Sequence, residues 1–244
     1  MANWSDPRSL GPDAGYNVGS ASAATDAGLR SYMLSVYNYM ASGVLLTGLV
    51  AYAFARSGAA ESILMGPGIL KYVIMFSPLV FMMVMSFGLH RLSTAATQAC
   101  FWAFATVMGL SMSAIFLVYT QTSIAQTFFA TAASFLGLSL YGYTTKKNLS
   151  GMGSFLIMGM VGLFVAMLLN MFFQSGTMAL VISALGVLIF AGLTAYDTQR
   201  IKSMYAYVAG TDMIGKTAVM GALSLYLDFI NMFQFLLSFL GSRD

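Results

Sequence analysis

The chain has 244 residues, 59% of them hydrophobic and only 8% charged, with a formal net charge of +3 and a mean hydropathy of +0.80. A soluble domain carries about 25% charged residues, so this composition describes a polytopic membrane protein with no sizeable soluble domain. A single cysteine, Cys100, and a single histidine, His90, exclude an intrachain disulfide, a cysteine-rich metal site and any relay of several histidines; no basic cluster exceeds Lys146-Lys147, so no nucleic-acid partner is expected.

In chain order, residues 1–31 are polar and rich in Gly, Ala, Ser and Asp. They lack the apolar core of a secretory signal and read as a mostly disordered cytoplasmic tail. A seven-helix transmembrane domain is predicted over residues 32–240, with a short C-terminal tail at 241–244. Its apolar segments run from Tyr32 to Ala55, Ile69 to Leu89, Ala95 to Tyr119, Ser123 to Tyr143, Met152 to Phe173, Thr177 to Tyr196 and Thr217 to Leu240. Each is near the roughly 20 residues that cross a bilayer as a helix. The runs are continuously apolar without two-residue alternation, which favours helices over a barrel. Short connections make neighbouring segments antiparallel partners. The 20 methionines read as adaptable apolar packing rather than a metal-binding face. Gly159 with Gly162, and Gly137 with Gly142, read as packing notches where helices approach closely.

Orientation follows from the distribution of Lys and Arg. With a cytoplasmic N-terminus, Arg8, Arg30, Arg91, Lys146, Lys147, Arg200, Lys202 and Lys216 fall on the cytoplasmic side. Arg56, Lys71 and Arg243 fall on the other, completing the 11 basic residues. Seven spans then place the C-terminus outside.

Of the 8 acidic residues, only Asp197 and Asp228 are available within the membrane. Asp228 lies inside the last apolar segment, where a carboxylate costs roughly 2.5–3.5 kcal/mol to insert; such residues face a bundle interior or a water-filled path. It shares a stripe with Thr217, Gly221, Ser224, Asn231 and Ser238, while Leu223, Leu227, Ile230 and Leu237 lie opposite. Ser224 and Asn231 either support Asp228 or simply hydrogen-bond neighbouring helices. Asp197 is predicted at the end of the sixth segment, where it could pair with Arg200 one turn later. A turn centred on Gly210-Thr211-Asp212-Met213 would bring Asp197 and Asp228 to the same depth on antiparallel helices. Two carboxyls close together in low dielectric share a proton and titrate as a pair. Such a pair is a pH-sensitive latch or a transient binding point for Ca²⁺, a hard cation that takes oxygen ligands.

Two motifs, Ala195-Tyr196-Asp197-Thr198-Gln199-Arg200-Ile201-Lys202 and Leu225-Tyr226-Leu227-Asp228-Phe229-Ile230-Asn231-Met232-Phe233, resemble the signature of the Bax inhibitor-1 family, the transmembrane Bax inhibitor motif proteins. The resemblance covers about Tyr32 to Leu240, and the length and termini are similar to the bacterial inner-membrane branch. It implies an all-α membrane fold in which six helices surround a central C-terminal helix. It also implies a pH-sensitive Ca²⁺ leak, with Asp197 and Asp228 at the positions of two aspartates that hydrogen-bond in the closed state. A basic residue on the second helix is implied to engage the pair; by location this is Arg91, beside His90. Other bacterial members bind a membrane-bound ATP-dependent protease, so the alternative expectation is a regulator that conducts nothing.

An intramembrane enzyme is the third reading, and the motifs oppose it. Leu225-Tyr226-Leu227-Asp228 lacks the Gly-x-Gly-Asp context of a presenilin-type protease, and Gly109-Leu110-Ser111-Met112 lacks the final Gly of a rhomboid nucleophile. No enzyme activity and no resident cofactor are expected. The expected ligands are Ca²⁺, H⁺ and membrane lipid, with the oligomeric state open.

Overall fold

A computed structural model describes residues 13–88 and 92–242, with side chains described from Thr25 onward. Eight α-helices, α1 (Asp13–Arg56), α2 (Leu70–Gly88), α3 (Thr94–Met112), α4 (Ile115–Val118), α5 (Gln121–Thr144), α6 (Ser150–Phe173), α7 (Gly176–Val208) and α8 (Met213–Leu240), account for nearly all of them. A single π-helical turn, Glu61–Met65, lies between α1 and α2. Seven stretches are long and apolar enough to cross a bilayer, with α3 and α4 forming one of them. The protein is an all-helical, multi-pass membrane protein.

α8 is the axis of the bundle. Half of its most apolar window is buried, against 11% for α2 and for α6. Its principal neighbours are α1, α3, α5 and α7, while α2 packs on α3 and α6 on α7. Four helices therefore wrap α8 closely, and α2 and α6 stand in an outer layer; the expected ring of six is closed in four places. The rings of Phe128 and Phe135 meet Phe229 edge-on at 5.6 Å, and Phe104 meets Tyr226 at 5.5 Å. Edge-to-face pairs in this range add to simple area burial. The Thr47 hydroxyl donates to the Ala105 carbonyl at 2.8 Å, so the Tyr226 hydroxyl donates to Thr47 at 2.7 Å. Every polar hydrogen of this α1–α3–α8 contact is used, as a membrane interior requires.

Pro78, inside α2, shows the same accounting. Proline has no N–H, so the carbonyl four residues earlier loses its helical donor. That carbonyl belongs to Ile74, and it accepts from Ser111 Oγ of α3 at 2.6 Å and from Ser77 Oγ at 2.9 Å. The proline thereby joins α2 to α3. The outward faces of α2 and α6 expose Phe76, Phe87, Phe155, Phe164 and Phe172, as lipid-facing helices do.

Two boundaries depart from the sequence reading. α1 begins at Asp13, so residues 13–31, expected as a mostly disordered tail, are helical; residues 1–12 lie outside the described residues. The Ala21–Ala27 stretch favours helix, and Tyr32 packs against Tyr205 at 5.5 Å with Gly28 beneath the Tyr205 ring. α7 continues to Val208, so Asp197 lies well inside a helix and not at its end. The apolar run stops at Tyr196, but the next three turns are held by contacts with α1, α5 and α8. The first residues of the tail at 241–244 are tied down: Thr120 N donates to Ser242 O at 3.1 Å and Ser242 N to Ser123 Oγ at 2.9 Å.

Candidate functional site

The α7–α8 turn spans residues 209–212, with Gly210 at φ 74° supplying the left-handed turn. This sits about two residues earlier than the expected centre, and the register of the pair follows from it. Ser183 hydrogen-bonds Ser238 at 3.0 Å, Gly186 lies beneath the Phe235 ring, and Ile201 packs on Gly221. Carried along the helices, that register sets Asp197 opposite Ser224, and Asp228 falls four residues deeper, about 6 Å at 1.5 Å per residue. The expectation of equal depth is corrected by one helical turn. Side chains on a helix tilt toward its N-terminus. In this antiparallel pair both carboxyls therefore lean toward each other across the offset. Both line one cavity, and no hydrogen bond joins them.

Asp228 is 5% exposed, and its Oδ2 meets no hydrogen-bond partner. Asp197 Oδ1 lies 3.9 Å from Arg200 Nη1, one turn along the same helix, and the Arg200 side chain is more than half exposed. An ion pair of that length with an exposed guanidinium contributes little. Of the stripe residues, Asn231 Nδ2 donates to Leu227 O at 2.7 Å, within α8. Arg91, the expected basic partner on the second helix, and His90 lie outside the described residues.

Asp197, Arg200, Ser224, Asp228 and Asn231 all line one cavity of about 1330 Å³. It runs along the α8 stripe between α7 and the outer helices α2 and α6. Its far end carries Asn170, Ser183, Gln234 and Ser238; the two acids stand toward the Arg200 end. One turn beyond them Ile201, 3% exposed, fills the space against Gly221. Among the described residues, no three His, Cys, Asp or Glu gather into a metal site. Ca²⁺ takes 6–8 oxygen ligands, so two carboxylates with a serine and an asparagine would hold it only loosely.

The motif around Asp197 also has structural work. Leu149 N donates to Gln199 Oε1 at 2.9 Å, and Gln199 Nε2 donates to Lys147 O at 2.8 Å, which clips the α5–α6 loop to α7. Lys202 Nζ donates to Tyr143 O at 2.8 Å and lies 4.7 Å from the centre of the Tyr143 ring. Thr198 Oγ1 donates to Thr194 O, so Ser139 donates to Thr198 at 3.0 Å and Tyr37 to Ser139 at 2.7 Å. This hydroxyl chain behind Asp197 was missed by the sequence reading. Its signal was the four-residue spacing of Ser123, Thr127, Thr131, Phe135 and Ser139, all buried on one face of α5.

The family described as "Inhibitor of apoptosis-promoting Bax1" matches residues 29–244. An uncharacterized protein of Rickettsia prowazekii is 45% identical over 219 residues, covering 89% of this chain and 92% of its own. An uncharacterized protein of Caulobacter vibrioides is 45% identical over 233 residues, covering 91% and 93%. The inner membrane protein YbhL of Escherichia coli is 41% identical over 219 residues, covering 89% and 94%.

Proposed function

This chain belongs to the Bax inhibitor-1 family of membrane proteins, and on that premise we propose that it is a pH-sensitive cation leak, with Ca²⁺ favoured, gated by Asp197 and Asp228. The observation that carries the reading is that both membrane acids line one cavity along the central helix, with nothing donating a hydrogen bond to Asp228 Oδ2. By the likeness to YbhL the protein sits in a bacterial inner membrane. The N-terminus is assigned to the cytoplasm and the C-terminus to the outside. In support, Arg30, Lys146, Lys147, Arg200, Lys202 and Lys216 gather at one end of the bundle, the end at which Gln199 meets the α5–α6 loop.

In this orientation the two acids stand toward the cytoplasmic end of the cavity, and Asn170, Gln234 and Ser238 toward its outer end. The Ile201–Gly221 contact closes it toward the cytoplasm. When the pair holds a proton, one carboxyl is neutral and α7 stays against α8. When both are ionised, two like charges in a low-dielectric site repel and drive the helices apart at the Ile201 contact. Flux therefore rises with pH. Loose ligation suits a leak, since conduction needs sites weak enough to leave.

Ca²⁺ uptake into proteoliposomes containing the purified chain, measured across pH, tests this. Wild type should show flux that rises with pH, and Asp228→Asn, which cannot ionise, should show low flux at every pH. Equal, pH-dependent flux in both would remove the pair from the mechanism. No flux from either would turn attention to a non-conducting regulator that binds a membrane protein partner such as an ATP-dependent protease.

A further inference from the structure

The cavity beside α8 is far larger than an inorganic cation needs. Pockets that hold drug-sized molecules are about 300–1,000 Å³, and this one is about 1330 Å³. Most of its wall is apolar and adaptable, and seven methionines contribute, among them Met75, Met82, Met160 and Met167. Methionine re-packs readily around varied apolar shapes. Polar groups are confined to the α8 stripe and the two ends. The cavity also has a lateral face, because α2 rests on α3 and α6 on α7 while neither is a principal neighbour of α8. Leu79, Met83, Val161 and Phe164 on these two helices are exposed.

The charge is unbalanced in one direction. Two carboxylates share the wall with one guanidinium, and that arginine side chain is more than half exposed. Asp228, 95% buried, has an oxygen with no donor. Asn231 uses one Nδ2 hydrogen on Leu227 O, and its Oδ1 is open as an acceptor. The stripe thus presents acceptors to a cation with N–H donors, and the remainder of the wall presents apolar surface to its body. A neutral apolar molecule leaves the carboxylates unpaired, and an anionic lipid is repelled by them.

We propose that this cavity binds an amphiphilic amine entering from the bilayer between α2 and α6, with its ammonium on the Asp228 stripe and its apolar body among the methionines. Binding needs no conduction, so the inference stands or falls separately from the leak. Charge-assisted hydrogen bonds give the amine its preference for the acidic stripe.

The test is equilibrium binding of 9-aminoacridine to the full chain in phosphatidylcholine nanodiscs, followed by fluorescence anisotropy, with neutral anthracene as competitor. Saturable binding is expected, weakened about tenfold or more in Asp228→Asn, as loss of a charge-assisted bond dictates. Met160→Trp, which fills the apolar wall, should weaken it as strongly with the stripe intact. Should Asp228→Asn fail to elute as a folded species, Ser224→Leu, which crowds the same stripe, carries the same expectation. Binding equal in wild type and the stripe variant, or no more than empty nanodiscs, overturns the proposal. Loss in the stripe variant with full binding by Met160→Trp also overturns it, by placing the amine outside the cavity. Displacement of 9-aminoacridine by anthracene as effective as by the non-fluorescent amine dodecylamine overturns the role of the charge.

Discussion

Gly142 and Gly137 lie on the same helix and are alike in composition, yet they do different things. A Cβ on Gly142 would strike the backbone of Ala195 on α7, and a Cβ on Gly137 would meet nothing within 4 Å. The sequence reads both as notches, and only the first is one; Gly162, likewise, faces open space, while a Cβ on Gly159 would meet Ile189. A single sequence shows that a residue is small but not which way it faces. The consequence is measurable. Gly142→Val should destabilise the protein by about 1–3 kcal/mol or more, since backbone cannot rotate aside as a side chain can. Gly137→Ala should be neutral or slightly stabilising, because alanine is the better helix former. Thermal unfolding of the two variants in one detergent checks the pair of expectations.

The register between α7 and α8 decides what the two acids can do. The sequence reading located the turn to within two residues from its Gly, Thr and Asp. Those two residues separate a level pair from one staggered by a turn. The stagger leaves Asp197 and Asp228 on one cavity wall with no hydrogen bond between them, and it puts Ile201 between them and the basic end. Ile201 was invisible to the sequence reading because an isoleucine in an apolar helix carries no signal of its own; its role comes from facing Gly221. Ile201→Ala removes the side chain that fills this space while leaving both acids in place. Basal Ca²⁺ flux in proteoliposomes should rise several-fold at low pH, where wild type is closed. Unchanged flux would place the barrier elsewhere along the helices.

At the scale of the molecule, the seven spans were legible because continuous apolar runs of this length have few alternatives. The central place of α8 came from the family resemblance of its motif, and a polar stripe that must turn inward agrees with it. The outer placement of α2 and α6 was not, and neither were the helical extensions of α1 and α7. Those depend on contacts between residues far apart in the chain, such as Tyr32 with Tyr205. The extension of α7 makes orientation testable. With Cys100 replaced, a single cysteine at the exposed Tyr207 should react with a membrane-impermeant maleimide in inside-out vesicles and not in intact spheroplasts. A cysteine at the exposed Phe173 should show the opposite pattern.

The central claim is that Asp197 and Asp228 act as one device, and a double-mutant cycle on Ca²⁺ flux tests it most directly. Wild type, Asp197→Asn, Asp228→Asn and the double variant are compared at a pH where wild type conducts. Groups that act as a unit are non-additive, so the double variant should lose no more flux than either single one. Losses that add independently in the double variant would contradict the account.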